Sequence, residues 1–172
     1  PYEGFLWLFR LFLLACLAGH VYCAWVISAR AKARRGKFAR KGLHGFSSFT
    51  ARTMPVTGIV LLLFIIFHLL DLTAGIGVAT ENFQHGSEAG SFAYQNLIAS
   101  FSRPAVAIFY LLAMVILFLH LAHGLYATVN DFGITLGQKA RSTVMLLSGL
   151  FALVVMLGNI TIPIAVLTGL VS

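Results

Sequence analysis

The chain has 172 residues, of which 59% are hydrophobic and only 10% carry a formal charge. Charged residues normally make up about a quarter of a globular protein, so this composition, with a mean hydropathy of +0.92, excludes an ordinary soluble domain. The net charge of +7 is then a signal of membrane orientation and not of nucleic-acid binding, because basic loops of membrane proteins stay in the cytoplasm. We predict an all-α transmembrane helical bundle that forms a single integral membrane domain over residues 1–172.

Four segments are apolar enough to cross a bilayer, which takes roughly 20 residues. Span B is predicted to begin with Pro55 and span C with Pro104 in the first turn, where a missing N–H costs nothing. In span D, Pro163 is expected to kink the helix and not to end it. A short surface helix is expected within residues 77–102. Spans A to D cover about residues 4–29, 54–76, 104–128 and 142–171.

Basic residues are concentrated in two connections between spans. Eight of them lie between spans A and B, in or next to a basic loop expected over residues 30–53, and two more lie between spans C and D. Both connections are therefore predicted to be cytoplasmic. The connection between spans B and C, and Pro1, then lie on the outer side. We expect a fifth span before Pro1, which would return the N-terminus to the cytoplasm.

Histidines lie inside the predicted spans, where ionisable side chains are costly and are functional candidates by default. Spans A and C run in the same direction, and His20 and His120 lie at nearly the same depth, about 5 Å to the cytoplasmic side of the middle. Two neutral imidazoles from neighbouring helices can hold a b-type haem. The sequence therefore predicts that His20 and His120 face each other, with hydrogen bonding between helices as the alternative. Glycines such as Gly58 should make room for the flat ring.

Three further ionisable residues lie inside the spans. His68 is in the outer half of span B, where no other span offers a histidine at the same depth. Asp71 follows on the same helix face and could orient the imidazole, accept a proton from quinol, or be an interface carboxylate in contact with water. His123 lies one turn from His120 and could bind a haem propionate or a quinone oxygen.

The cysteines of span A leave a second cofactor open. Cys16, His20 and Cys23 recur at i, i+4 and i+7 on one helix face, and cysteine with histidine is the ligand set of a Rieske-type [2Fe–2S] cluster. In a regular helix the two cysteines are about 10.5 Å apart along the axis, whereas two thiolates on one iron are at most about 4.6 Å apart. A cluster would need a helix break at Gly19 or a cysteine before Pro1. Otherwise both cysteines are small packing residues.

Three segments carry a family resemblance. They are FTARTMPVTGIVLLLFIIFHLLDLT, LHLAHGLYATVNDFG and LGNITIPIAVLTG. Together they resemble the single-chain, five-helix cytochrome b membrane anchor of succinate dehydrogenase and fumarate reductase. The combination of R-T-M-x-x-[ST]-G, F-H-L-L and H-L-x-H-G is more specific than any one of them. The resemblance covers nearly the whole chain and implies a helix before span A, in agreement with the charge distribution.

The resemblance implies cofactors, partners and a location. His20 and His120 would ligate a haem b near the cytoplasmic face, and His68 would ligate a second haem with a histidine before Pro1. Electrons would pass from an iron–sulfur subunit on the cytoplasmic side to a quinone, which is mostly menaquinone for single-chain anchors. Succinate would be handled by a separate flavoprotein subunit. The chain would be a multi-pass protein of a bacterial plasma membrane.

The basic connection could bind a soluble partner or anionic lipid, although a plain topology signal explains most of its charges equally well. Arg52 lies just ahead of span B, and its guanidinium fork would suit a haem propionate. Quinone-binding residues are predicted at Ser48, Arg52 and Asp71.

Two functions of other classes remain open. A proton-coupled transporter that uses His68 and Asp71 as a relay would predict discontinuous helices and repeat symmetry, and the sequence shows no internal repeat. A stand-alone bis-histidine cytochrome would move electrons across the membrane without a soluble dehydrogenase. Co-purification with flavoprotein and iron–sulfur subunits separates a dehydrogenase anchor from such a cytochrome.

Overall fold

The computed structural model describes residues 2–35, 46–86, 91–135 and 137–171. In these ranges the chain is helical, with five α-helices, one π-helical turn and no strand. Four of the helices are long and apolar enough to cross a membrane, which confirms the predicted all-α class with four spans. The elements are α1 (Tyr2–Arg35), α2 (Phe46–Leu69), the π turn (Leu70–Ala74), α3 (Ala93–Phe101), α4 (Pro104–Asp131) and α5 (Gln138–Leu167).

The helices extend into the basic connection that the sequence analysis treats as a loop. Helix α1 continues through Arg30 to Arg35, and α2 begins at Phe46, well before the expected start of span B. Pro55 therefore lies inside α2 and not in its first turn, so one backbone carbonyl of the preceding turn lacks its usual helical donor. The difference arises because hydropathy marks the part of a helix that can cross a membrane, whereas a helix can continue into polar sequence on either side.

Other expectations from proline and spacing are confirmed. Helix α4 begins at Pro104 and follows the extended residue Arg103. Pro163 lies within α5, which continues to Leu167, so this proline does not end the helix. Helix α3 is the short helix expected within residues 77–102.

The chain comprises two compact units, residues 1–44 and 45–172. In the first unit the described element is α1. In the second unit, α4 packs against α2, α3 and α5, and α3 also contacts the π turn. Alanines at the centre of the second unit allow close helix approach, as small residues do in membrane helices. The buried core consists of Phe64, Phe101, Ala107, Tyr110, Ala113, Met114 and Val166.

The connection after the π turn folds back onto α3. Gly75 ends the π turn with a φ of 65°, and a Cβ atom there would lie 2.2 Å from Cδ1 of Phe83, so glycine is required both by the backbone and by the ring above it. The side chain of Asn96 accepts a hydrogen bond from the Gln84 amide (2.9 Å) and donates one to the Gln84 carbonyl (2.8 Å). The two hydrogen bonds of Asn96 hold the connection against α3.

Candidate functional site

The two most specific sequence motifs lie on facing surfaces of α2 and α4. Thr57, from R-T-M-x-x-[ST]-G, places its Oγ1 2.9 Å from Nδ1 of His120, the first histidine of H-L-x-H-G. A Cβ atom at Gly58 would lie 3.5 Å from Cε1 of His120, and one at Gly124 would lie 3.8 Å from Cε of Met54. Motifs that are more than 60 residues apart in the sequence thus form one contact surface.

The Thr57 hydroxyl lies between two hydrogen-bond partners, the Met54 carbonyl at 3.0 Å and Nδ1 of His120 at 2.9 Å. Since the carbonyl can only accept, a bond to it uses the hydroxyl hydrogen and leaves the hydroxyl oxygen as an acceptor towards the ring. With that pairing, a neutral His120 ring has its hydrogen on Nδ1 and its lone pair on Nε2. Metal-binding histidines usually have this arrangement, with one ring N–H donated to a fixed acceptor and the other nitrogen on the metal.

Gly58 contributes space next to this imidazole. The distance of 3.5 Å from its ideal Cβ position to the ring is an ordinary van der Waals contact, so alanine would just fit and a larger side chain would meet the ring. The expectation that Gly58 makes room for a haem ring stays a prediction.

A second polar group surrounds Asp71 in the π turn. Its carboxylate is completely buried. Arg103 donates to Oδ1 at 2.6 Å, while Ser100 and Tyr110 donate to Oδ2 at 2.5 and 3.0 Å. Arg103 also donates to the carbonyl of Val78 at 2.8 Å. We call Asp71, Ser100, Arg103 and Tyr110 the Asp71 cluster.

The Asp71 cluster joins four parts of the chain: the π turn, the connection after it, α3 and the start of α4. Among the described residues, no buried side-chain nitrogen or oxygen lacks a hydrogen-bond partner. Asp71 is therefore not the water-exposed interface carboxylate considered as one alternative. The pairing of Asp71 with Arg103 is not among the contacts expected from the sequence. The sequence does contain a signal for this ion pair. Asp71 lies inside a span and Arg103 lies just ahead of the next one, and a buried charge needs a partner.

His68 is linked to Asp71 through Tyr110. Nδ1 of His68 lies 3.5 Å from the Tyr110 hydroxyl, at the outer limit of a hydrogen bond, and Tyr110 donates its hydrogen to Asp71. The imidazole is half-buried, with its ring centroid 6.0 Å from those of Phe64 and Tyr110. Asp71 thus reaches His68 through the Tyr110 hydroxyl, and the roles predicted for Asp71 in orienting the imidazole or accepting a proton from quinol stay predictions.

Three other candidates lie elsewhere on α2 and α4. His123 is half-buried on α4, with its ring centroid 6.2 Å from that of Tyr126. Arg52 lies on α2 about a turn and a half before Thr57. Ser48 is in α2, but its side chain lies outside the described residues. The roles predicted for these three residues in binding propionate or quinone stay predictions.

The remaining candidates belong to α1. This helix is continuous through Gly19, so it lacks the break that a cluster on Cys16 and Cys23 would need, and both cysteines are free and exposed. In the described part of the chain, no three His, Cys, Asp or Glu side chains group together as metal ligands. The pairing of His20 with His120 and a [2Fe–2S] cluster completed from before Pro1 stay predictions.

Comparison with known proteins identifies one family. A family model described as succinate dehydrogenase/fumarate reductase transmembrane subunit matches residues 32–157, which is well over half of the chain. The matched range contains the Thr57–His120 contact and the Asp71 cluster, and it begins after His20. No curated protein and no solved structure matches the chain significantly.

Proposed function

Since the chain belongs to the succinate dehydrogenase/fumarate reductase transmembrane subunit family, we propose that it transfers electrons from an iron–sulfur subunit to a quinone in the membrane. As a member of this family it is a membrane anchor subunit of such a complex, with four candidate spans. The observation that most supports electron transfer is the Thr57–His120 contact, because it holds an imidazole inside a membrane helix through Nδ1, as the second hydrogen bond of a metal-binding histidine does.

His120 would hold the iron of a haem b. A neutral imidazole ligates iron without adding charge to the membrane interior, and Gly58 leaves space beside the ring. Members of the family often bind haem b. We propose that His20 would be the second histidine to hold this haem, from its matching depth in the sequence and from the family resemblance. When bound, the haem would supply one-electron transfer between the iron–sulfur partner and the quinone.

The outer half of the membrane domain is proposed to hold a second haem on His68, with its other ligand before Pro1. Arg52 and His123 are proposed to bind haem propionates. Quinone, with menaquinone as the proposed type, is proposed to bind at Ser48 and Arg52 near the start of α2 and separately at Asp71 in the π turn, which lies about 28 Å beyond Arg52 along the helix. Asp71 is completely buried, whereas the Arg103 side chain is 33% exposed. Arg103 is thus the member of the ion pair through which a quinone headgroup could contact the Asp71 cluster.

The proposed partners are the iron–sulfur and flavoprotein subunits, and succinate chemistry takes place on the latter. Exposed cations at the end of α1 and the start of α5, including Arg34, Lys139 and Arg141, could pair with carboxylates of the soluble partner or with anionic lipid. The proposed location is a bacterial plasma membrane with the basic connections in the cytoplasm. Family membership gives no support to a proton-coupled transporter. The [2Fe–2S] alternative is supported only by the presence of Cys16, His20 and Cys23 on one helix face.

The test compares two reactions of the purified complex. His20→Ala and His120→Ala should each abolish electron delivery from succinate to quinone while leaving the reduction of soluble dyes by succinate largely intact. The matched control is His85→Ala, because His85 is an exposed histidine of the outer connection that contacts Phe83. Unchanged quinone rates in both variants would contradict the assignment. Loss of the flavoprotein and iron–sulfur subunits from the wild-type chain in mild detergent would contradict the anchor role.

A further inference from the structure

Thr57 lies between a backbone carbonyl of its own helix and the imidazole of a neighbouring helix. Its side chain is buried, with 9% of its surface exposed. The hydroxyl donates to the Met54 carbonyl at 3.0 Å and lies 2.9 Å from Nδ1 of His120. When the Met54 carbonyl takes the hydrogen, the hydroxyl oxygen can accept a hydrogen bond from Nδ1–H of His120.

This arrangement has two consequences for His120. It selects the tautomer with the lone pair on Nε2, and it holds the ring relative to α2. An acceptor on Nδ1–H also makes the opposite nitrogen more electron-rich and therefore a stronger ligand. Valine has nearly the shape of threonine but cannot accept a hydrogen bond, so it would leave the Nδ1–H group of a partly buried ring without this partner.

We propose that Thr57 is the positioning residue of His120, which sets the tautomer and the donor strength of the imidazole that ligates the haem. The inference rests on the proposed function, in which His120 would hold the haem iron. Thr57 itself touches neither iron nor quinone in this proposal and acts only through the ring.

Three variants distinguish the effect of the Thr57–His120 hydrogen bond from the effect of the shape of the Thr57 side chain. Thr57→Val removes the acceptor and keeps the shape, whereas Thr57→Ser keeps the acceptor. Thr128→Val is the matched control, because Thr128 lies on the same helix as His120 and donates to the carbonyl of Gly124 at 2.8 Å on an exposed surface. Each variant is purified as the whole complex in mild detergent.

The measurements are haem affinity and the midpoint potential of the haem that is lost in His120→Ala. Thr57→Val should bind this haem about 10- to 100-fold more weakly, as is usual when the hydrogen-bond partner of a metal-binding histidine is removed. Its midpoint potential should move in the positive direction, because a less electron-rich imidazole stabilises ferric iron less. Thr57→Ser and Thr128→Val should keep the affinity and the potential of the wild type.

The possible results distinguish this inference from the proposed function. If wild-type complex binds haem and His120→Ala loses it, while Thr57→Val keeps the wild-type affinity and potential, the positioning role alone is wrong. If wild-type complex binds no haem, both proposals are wrong. If Thr57→Val does not assemble, Thr57→Cys takes its place, since a thiol is a weaker acceptor. A wild-type potential in that variant would equally overturn the positioning role.

Discussion

The two polar groups of the second unit differ in their charge and in the number of hydrogen bonds that their central residue makes. The Thr57–His120 contact joins α2 and α4 through one hydroxyl and one ring, neither of which carries a fixed charge. The Asp71 cluster surrounds a completely buried carboxylate with three donors from α3, α4 and the residue before α4. A neutral imidazole with its lone pair on Nε2 is suited to ligation, whereas a carboxylate bonded to three donors is suited to joining structural elements.

In both groups a hydroxyl lies near Nδ1 of a histidine, but the two distances differ. Thr57 lies 2.9 Å from Nδ1 of His120, and the Tyr110 hydroxyl lies 3.5 Å from Nδ1 of His68. In each case the hydroxyl hydrogen is donated elsewhere, to the Met54 carbonyl or to Asp71. His120 is therefore held more closely than His68, and the orientation of His68 depends on the integrity of a charged cluster.

The largest effect on stability is expected for Arg103→Ala. This change leaves the Asp71 carboxylate buried without its counter-charge, and breaking such a pair typically lowers the free energy of unfolding by about 3–5 kcal/mol. Unfolding of the purified chain in mild detergent, followed by circular dichroism, measures the loss.

A double variant makes this prediction sharper. Asp71→Leu combined with Arg103→Met removes both charges, so it should lose less stability than the sum of the two single changes. Additive losses would show that the two side chains do not interact, and the contrast between the Asp71 cluster and the neutral Thr57–His120 contact would then lose its basis.

A smaller effect on stability is expected when a glycine is replaced by alanine, either next to the Asp71 cluster or next to the Thr57–His120 contact. Gly75→Ala places a side chain at a left-handed residue and against Phe83, so it should lower the free energy of unfolding by more than the roughly 1–2 kcal/mol of left-handed strain alone. Gly58→Ala lies in a helix with ordinary contact to His120 and should change stability little or raise it by up to about 1 kcal/mol.

Gly77→Ala is the control for backbone strain. Gly77 has a similar φ of 69°, but nothing lies within 4 Å of its ideal Cβ position. The additional loss in Gly75→Ala therefore measures the contact with Phe83. Equal losses at the two positions, in the same detergent unfolding experiment, would mean that the ring above Gly75 contributes nothing.

Much of the fold can be predicted from the sequence because apolar length and proline position act locally. Four spans follow from hydropathy, and Pro104 marks the start of α4. The start of α2 and the interior position of Pro55 could not be predicted in this way, because polar residues can continue a helix beyond the apolar segment.

The site was predictable to a smaller extent. The motifs directed attention to His120 and Gly58, but not to Thr57 as the partner of the ring, since this contact depends on the register of α2 against α4. The Asp71–Arg103 pair joins residues 32 positions apart and requires the start of α4 to lie beside the π turn. Only the cost of an unpaired charge in a membrane helix hinted at it.

The most direct test of the central claim, that His120 ligates a haem, is a reduced-minus-oxidised optical spectrum of the purified complex. The wild type should show the absorption of a six-coordinate b-type haem, His120→Ala should lose it in whole or in part, and His85→Ala should keep it. A wild-type spectrum without haem absorption, or an identical spectrum in His120→Ala, would contradict the proposal.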